Sequence, residues 1–158
     1  MIRNNGFTFV ELLVCLVLLG ILASIVIPVT EISARHSKEK DLKQSLVEIR
    51  QAIDAFKMAS EQNKIPKPYK TESGYPPDLK VLEGIKTKDG RIIVDRFIRR
   101  IPQDPFFKGN KDMVLPEETW GQRTYLSDHD KPLKGDDIYD VYSLSEQKGT
   151  NGISYNQW

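Results

Sequence analysis

The sequence predicts an α+β fold, with one long N-terminal helix, transmembrane over its first half, and a small C-terminal head containing a short helix and a small antiparallel sheet. An apolar run extends from Phe7 to Val29, and an apolar stripe at helical spacing follows it. Two short segments near the C-terminus are rich in tyrosine, threonine, valine and isoleucine, as strands are. The 158 residues suit one domain of modest core with an appendage.

The apolar run has the length of a membrane-spanning helix. No side chain from Leu12 to Val29 is formally charged. As a helix, Phe7 to Val29 extends over roughly 35 Å, enough to cross a hydrocarbon core of about 30 Å. A cleaved secretory signal is the competing interpretation, but its apolar core has only about 7–15 residues, and Ile32-Ser33-Ala34 is a poor cleavage site. We therefore predict that residues 7–29 are transmembrane, although a plain anchor leaves Glu11 unexplained.

The helix continues beyond the apolar run with one apolar face. Apolar residues recur there at spacings of four and three: Leu42, Leu46, Ile49, Ile53 and Phe56. We predict one helix from Phe7 to about Gln62, with residues 30–62 packing under the head, because the stripe is too short for a coiled coil. Pro28 lacks a backbone donor, which predicts a kink or a soft spot.

The head is predicted to comprise residues 63–158. Ile65-Pro66-Lys67-Pro68 breaks the long helix, and Pro76-Pro77-Asp78-Leu79 suits the first turn of a short helix that ends near Glu83, before Gly84.

The strands of the head are predicted at Arg123–Ser127 and Ile138–Ser143. With Lys134-Gly135-Asp136 in the link between them, these strands form the small antiparallel sheet.

Composition and motifs exclude several function classes. The formal net charge of +1, from 23 Lys and Arg against 22 Asp and Glu, gives no basic field, so no nucleic-acid partner is expected. The single cysteine, Cys15, lies inside the apolar run and cannot form an intrachain disulfide. His36 and His129 are expected to be solvated polar residues, and no catalytic or phosphate-binding motif occurs. We expect no catalytic residue and no enzyme.

A group of acids near the C-terminus raises the question of a metal site. Carboxylates in loops are typical ligands of calcium, and five acids are candidates: Asp128, Asp130, Asp136, Asp137 and Asp140. Their spacing does not match an EF-hand, so we expect them to be surface acids and predict no metal or other cofactor.

The N-terminal segment resembles the class III signal of type IV pilin-like proteins. It reads Gly6-Phe7-Thr8-Phe9-Val10-Glu11-Leu12 before the apolar run, and Pro28 stands where many of these proteins carry a proline. The remainder is similar to the major pseudopilin family, the G subunits, of type II secretion systems. The similar segments are Tyr75 to Leu82, Arg100 to Pro105, Thr119-Trp120-Gly121, Tyr139 to Ser143 and Gly152 to Trp158. The likeness is thinnest between Phe106 and Thr119.

The resemblance implies a pilin-like fold and a specific processing step. A membrane aspartic peptidase, the prepilin peptidase, would cut after Gly6, so that residues 1–6 are a leader, and would N-methylate Phe7. Glu11 would neutralise the N-terminal amine of a neighbouring subunit, and Thr8 and Pro28 belong to the same assembly segment. The resemblance also implies a single-pass inner-membrane protein of bacteria, with a cytoplasmic N-terminus and a periplasmic head. The lysines and arginines after the apolar run would by themselves indicate the opposite orientation.

The function that the resemblance implies is structural. The chain would polymerise as a subunit of the periplasmic type II secretion pseudopilus and drive the export of folded proteins across the outer membrane. Its partners would be copies of itself, an inner-membrane assembly platform and minor pseudopilins. The alternatives are a type IV or competence pilin, many of which carry a C-terminal cysteine pair absent here, and a pilin-anchored ligand-binding module, which requires a convergent polar pocket.

A departure from the family concerns calcium. Many major pseudopilins fold the loop after the Tyr-Ser-Leu segment around a calcium ion held by aspartates. Here the loop from Tyr142 to Gly152 contains one carboxylate, Glu146, and one lysine, Lys148. Since calcium takes about 6–8 oxygen ligands, we expect the head to fold without it, with Lys148 tying the loop to an acid such as Asp140.

Overall fold

The structure, a computed structural model, describes residues 7–110, 112–128 and 131–158, with only the backbone of residues 25–31. Its α-helix, α1, spans Phe9–Glu61. The strands are β1 (Ile85–Lys86), β2 (Ile92–Val94), β3 (Trp120–Arg123) and β4 (Asp140–Ser143). Four 3-10 helices lie among the described residues, at Lys67–Tyr69, Leu79–Glu83, Pro116–Thr119 and Tyr155–Gln157. The predicted α+β class, with a long N-terminal helix and small antiparallel pairing, is confirmed.

The chain divides into two compact units, one ending at Ser37 and the other beginning at Lys38. In the first unit, the described side chains from Phe7 to Ser24 are exposed. Within the described residues, no helix combines the length and the apolar character needed to cross a membrane. The helix is not interrupted at Pro28, whose expected kink stays a prediction, and Gly6 with the predicted leader lies outside the described residues.

The core of the second unit forms around the apolar stripe of α1. All five stripe residues are at most 2% exposed. They pack in one cluster with apolar side chains from the rest of the unit, including Leu79, Leu82, Val94, Ile101, Val141 and Tyr155. The spacing of the stripe thus places one helix face at the centre of this unit.

The end of α1 has a local cause that precedes the prolines. Asn63 adopts a left-handed backbone conformation, with φ of 57°. The amide of Lys64 donates to the carbonyl of Ala59 (3.0 Å), and the amide of Asn63 donates to that of Ser60 (3.1 Å). This pair of bonds is a Schellman motif, in which Asn tolerates the left-handed position. The helix therefore ends at Glu61, beside the predicted Gln62.

The short helix is a 3-10 helix at Leu79–Glu83. The side chain of Asp78 caps it by accepting a hydrogen bond from the amide of Val81 (2.9 Å). Gly84 follows with φ of 87°, a conformation that favours glycine and stops the helix.

The sheet prediction needs correction. The strand predicted at Arg123–Ser127 lies earlier, at Trp120–Arg123, because the chain turns after Arg123, with the amide of Ser127 donating to the carbonyl of Thr124 (3.1 Å). The partner strand, β4, begins at Asp140 and not at Ile138. β3 and β4 pair antiparallel from Trp120↔Ser143 to Arg123↔Asp140.

A second two-stranded sheet was not predicted. β1 pairs antiparallel with β2, with Ile85 opposite Val94. The connection contains Asp89-Gly90, and Gly90 has φ of 80°. An Asp-Gly pair between short apolar segments is a hairpin signal that would have located these strands.

A buried carboxylate joins three of the segments that carry the family resemblance. Asp104 is fully buried, and its Oδ2 accepts a hydrogen bond from the Ser143 hydroxyl (2.5 Å). Its Oδ1 accepts from the amide of Phe106 (2.7 Å), while its own amide donates to the Thr119 hydroxyl (3.0 Å). The indole of Trp120 donates to the carbonyl of Pro102 (2.7 Å) beside this group. Asp104 thus orders the region around the start of β3 and the end of β4.

Removal of this carboxylate tests its role. Asp104→Ala leaves the buried Ser143 hydroxyl and the partly buried Phe106 amide without this acceptor, so we expect the free energy of unfolding to fall by about 2–4 kcal/mol. Denaturant-induced unfolding measures the change. Asp95→Ala, at an exposed position, is the control, and equal stabilities of the two variants would contradict the assignment.

Candidate functional site

The N-terminal segment begins with two non-helical residues and a capped helix start. Phe7 and Thr8 precede α1. The hydroxyl of Thr8 accepts a hydrogen bond from the amide of Glu11 (3.2 Å), and the Thr8 carbonyl accepts from the amide of Leu12 (3.2 Å). Thr8 is therefore an N-cap, and Thr-x-x-Glu has the spacing of a capping box. That spacing was the signal for a capping role of Thr8, which the sequence interpretation had not assigned.

The side chains of this segment point away from the rest of their own chain. Phe7 is 80% exposed, and Glu11 is also exposed. Among the described residues, no hydrogen bond or ion pair engages the Glu11 carboxylate. An acid in the first turn is favoured by the positive end of the helix dipole, and the carboxylate keeps its acceptor capacity for another group.

The C-terminal loop is joined to α1 through a buried acid. Glu39 is 5% exposed. Its Oε1 accepts hydrogen bonds from the amide of Thr150 and the hydroxyl of Tyr155, both at 2.8 Å, and its Oε2 accepts from the Thr150 hydroxyl (2.6 Å). The sequence interpretation missed Glu39. Its position three residues before Leu42, on the face of the apolar stripe, was the available signal.

Arg50 forms a second connection between α1 and the C-terminus. Its Nε donates to Oδ1 of Asp140 (2.7 Å), and its Nη2 donates to the carbonyls of Val141 (3.1 Å) and Trp158 (2.8 Å). Asp140 also forms an ion pair with Arg123. Asp140, the acid that we expected to bind Lys148, is thus held by two arginines. The backbone of Lys148 pairs with that of Ser154 in a single antiparallel β-bridge.

A surface cleft exists beside these arginines. Its lining includes Arg50, Arg123, Asp140, Tyr142 and Trp158. The charged side chains that line the cleft bind one another and backbone carbonyls, as described above. They are therefore not arranged around a space that a polar ligand would occupy. The cleft therefore lacks the feature that a ligand-binding module requires.

The described members of the C-terminal acid group have different environments. Asp137 is buried, and its carboxylate accepts hydrogen bonds from the hydroxyls of Ser73 and Thr124 and from the amide of Tyr125 (3.0 Å). Asp128 and Asp136 are exposed. The parts of the chain that the structure describes contain no group of three or more His, Cys, Asp or Glu residues suited to a metal ion.

One histidine and the cysteine lie in the described part of α1. His36 and Cys15 are exposed on α1. His129 lies, with Asp130, outside the described residues.

Comparison with known proteins gives one family motif and several relatives. Residues 1–27 match the prokaryotic N-terminal methylation motif. The type II secretion system core protein G of Pectobacterium carotovorum is 34% identical over 111 residues, 66% of this chain and 63% of that protein. The protein of the same name from Aeromonas hydrophila is 31% identical over 121 residues, 76% of this chain and 78% of its own length.

The similarity extends along nearly the whole chain in another relative. The type II secretion system core protein G of Klebsiella michiganensis is 28% identical over 150 residues, 91% of this chain and 96% of that protein. These relatives are named as components of a secretion system and not as enzymes. No solved structure matches the chain.

The buried acid Asp137 makes a prediction about pH. Burial by itself raises the pKa of this carboxyl, but the hydrogen bonds from Ser73, Thr124 and the Tyr125 amide outweigh burial and lower the pKa below its ordinary value of 3.8. A lowered pKa in the folded state stabilises the fold above the ordinary value, and this stabilisation is lost as the pH falls through the lowered pKa.

We therefore expect Asp137→Asn to remove part of the stability loss seen on acidification below about pH 4. Melting temperatures from pH 6 to pH 2.5 measure the slope, with Asp136→Asn at the exposed neighbouring position as the control. If the melting temperature of Asp137→Asn fell with pH as steeply as that of the control, the lowered pKa of Asp137 would be contradicted.

Proposed function

This chain belongs to the type II secretion system core protein G family, and on that premise we propose that it is a structural subunit of the type II secretion pseudopilus. The subunit polymerises in the periplasm and drives the export of folded proteins across the outer membrane. The observation that carries this proposal is the N-terminal methylation motif over residues 1–27, at the head of a chain similar to core protein G along nearly its full length.

We propose that the prepilin peptidase cuts after Gly6 and methylates Phe7. Two features support this site. The peptidase must bring its catalytic groups close to the backbone, and a glycine before the cut leaves room for them. Phe7 and Thr8 are exposed and non-helical, so the chain directly after the cut is open to a second protein before α1 begins at Phe9.

We propose that the segment from Phe7 to Val29 is held in the inner membrane before assembly and among neighbouring subunits afterwards. The described apolar side chains from Phe7 to Leu22 are exposed within their own chain. Burial of apolar area contributes about 25 cal/mol per Å², so such a surface favours lipid or other subunits over water. Residues 1–6 face the cytoplasm, and the head, residues 63–158, faces the periplasm.

Assembly brings this chain together with further proteins. We propose that it contacts copies of itself along the pseudopilus, an inner-membrane assembly platform during subunit addition, and minor pseudopilins at the pseudopilus end. The cleft beside Arg50 and Arg123, whose charged groups bind one another, favours a structural role over a ligand-binding one.

We propose that Glu11 sets the register of assembly. Cleavage creates a positive amine at Phe7, and a charge within an apolar environment is strongly unfavourable unless it is paired. Glu11 is exposed near the start of α1, where its carboxylate can accept the amine of a neighbouring subunit, and the Thr8 cap fixes the first turn that carries it. A subunit stacked in another register leaves both charges unpaired.

The processing site gives a direct test. We expect the mature protein to begin at Phe7, and we expect Gly6→Leu to block cleavage because its side chain hinders the approach of the peptidase. Mass spectrometry and N-terminal sequencing of membrane-fraction protein measure the cut. Gly20→Ala is the control, because a methyl group there meets no described atom within 4 Å other than the adjacent residues and the nearby helix backbone. A mature terminus at Met1 or near Ala34 would refute the assignment.

The proposed role of Glu11 gives a test of the function itself. We expect Glu11→Gln to leave cleavage and membrane insertion intact but to reduce filament yield and secretion by about tenfold or more, since a broken buried charge pair costs about 3–5 kcal/mol. Glu11→Asp keeps the charge and should retain part of the activity. Electron microscopy of filaments from cells overexpressing the labelled chain, with an assay of secreted protein, measures both effects.

The location of the label separates the possible roles of the subunit. We expect label along the whole filament shaft, as for a main structural subunit. Label restricted to the tip would indicate a minor component instead. Normal filaments and normal secretion by Glu11→Gln would show that charge pairing does not set the register.

A further inference from the structure

The C-terminal loop of this chain does not fit the calcium ion that its family implies. Calcium takes about 6–8 oxygen ligands and is favoured by carboxylates. Between residues 144 and 152 the loop carries one carboxylate, the exposed Glu146, and the positive side chain of Lys148.

Four further oxygens of the loop accept hydrogen bonds from within the C-terminal segment. The carbonyl of Ser145 accepts from the amide of Asn156 (3.1 Å), that of Gln147 from the amide of Tyr155 (3.0 Å), and that of Gly149 from the amide of Gly152 (2.9 Å). The side-chain oxygen of Asn151 accepts from the amide of Ile153 (3.0 Å). A calcium ion would have to compete with these bonds for ligands. The donor set and the charge of the loop thus both disfavour the ion.

We propose that the carboxylate of Glu39, and not a metal ion, holds the C-terminal loop against α1. Glu39 is 5% exposed and accepts the three hydrogen bonds from Thr150 and Tyr155 described above. Thr150 donates both its amide and its hydroxyl to the two oxygens of one carboxylate. Hydrogen bonds to an ionised acceptor are shorter and roughly twice as strong as neutral ones, and the two bonds from Thr150, at 2.8 Å from its amide and 2.6 Å from its hydroxyl, are short for their donors.

The polarity of this arrangement is the reverse of that of a calcium loop. A cation gathers carboxylates and carbonyl oxygens of a loop around itself. Here an anion from α1 gathers N–H and O–H donors of the loop. The loop therefore needs donors at positions 150 and 155 and does not need aspartates, which agrees with the single carboxylate between residues 144 and 152.

Packing around the loop supports a single fixed conformation. The ring of Tyr155 is fully buried and stacks on Phe106, with ring centroids 4.0 Å apart. A Cβ atom at Gly149 would lie 2.5 Å from a ring carbon of Trp158, so the loop passes directly under that ring. Arg50 binds the carbonyl of Trp158 (2.8 Å) and fixes the end of the same segment. The Glu39 carboxylate thus acts beside Gly149, Tyr155 and Trp158, which these contacts restrain.

The proposal concerns the folding of the head and is independent of the proposed pseudopilus function. Failure of filaments to form would not affect it, and a calcium-dependent loop would not affect the assignment of the filament subunit. Its test therefore uses stability and local exchange, not secretion.

The experiment uses the full chain in detergent micelles. Glu39→Gln keeps the size of the side chain but removes the charge, and Glu48→Gln, at an exposed position of the same helix, is the matched control. Amide hydrogen exchange is followed for residues 145–158 and for β3 and β4. We expect Glu39→Gln to accelerate exchange at Thr150 by about tenfold or more and to lower the melting temperature by about 5 °C, while Glu48→Gln changes neither.

The same measurement made in calcium and in chelator separates the two ways of holding the loop. We expect the melting temperature of the unaltered chain to differ by less than about 2 °C between the two conditions, a shift that corresponds to under about 1 kcal/mol. Adding calcium should not restore slow exchange in Glu39→Gln.

Two further variants keep the test decisive if Glu39→Gln does not fold. Thr150→Val and Tyr155→Phe each remove a hydroxyl that donates to Glu39, and we expect each to accelerate exchange in the loop. Their effects should be non-additive when combined, because both act through one carboxylate. A calcium-dependent rise of several degrees in the unaltered chain, or loop exchange in these variants equal to that of Glu48→Gln, would overturn the proposal.

Discussion

Burial of one face of α1 between Leu42 and Phe56 is the constraint on which the second unit of the chain depends. Its two sheets have two strands each, and such sheets are at best marginally stable alone. Much of the rest consists of turns and 3-10 helices, which bury little apolar area by themselves. The stripe supplies a continuous apolar surface that these segments share, so that residues far apart in sequence meet in one core.

The edges of the same helix face supply the polar contacts that orient the surrounding segments. Glu39 binds the C-terminal loop, and Arg50 binds β4 and the carbonyl of Trp158. Lys57 donates to the carbonyl of Ser73 (2.7 Å), in the segment that precedes Leu79–Glu83. Apolar burial holds these segments to α1, whereas the directional bonds determine where along α1 each one lies.

Buried carboxylates organise the loop-rich parts of this unit. Asp104, Asp137 and Glu39 are at most 7% exposed, and each accepts hydrogen bonds from a backbone amide and from at least one hydroxyl of another segment. Burial of a charge is costly unless hydrogen bonds compensate it, so each acid favours the one arrangement that brings its donors together. The first unit contrasts with this, because its described apolar side chains up to Ser24 are exposed.

The sequence by itself determined the features that depend on neighbours along the chain. The spacing of four and three predicted the buried face of α1, and Asp78 with Gly84 bounded the short helix, because helical contacts join residues three or four apart. The N-terminal motif, together with the similar segments between Tyr75 and Trp158, likewise indicated the family without any structure.

Only the tertiary structure decided the register of the strands and the partners of the buried acids. The strand predicted at Arg123–Ser127 lies at Trp120–Arg123, since pairing with Asp140–Ser143 fixes its position and local residue preference does not. Thr150 meets Glu39 across 111 positions, and Ser143 meets Asp104 across 39. No periodicity encodes contacts at such separations, because they depend on the core around the apolar face of α1, where segments far apart in sequence meet.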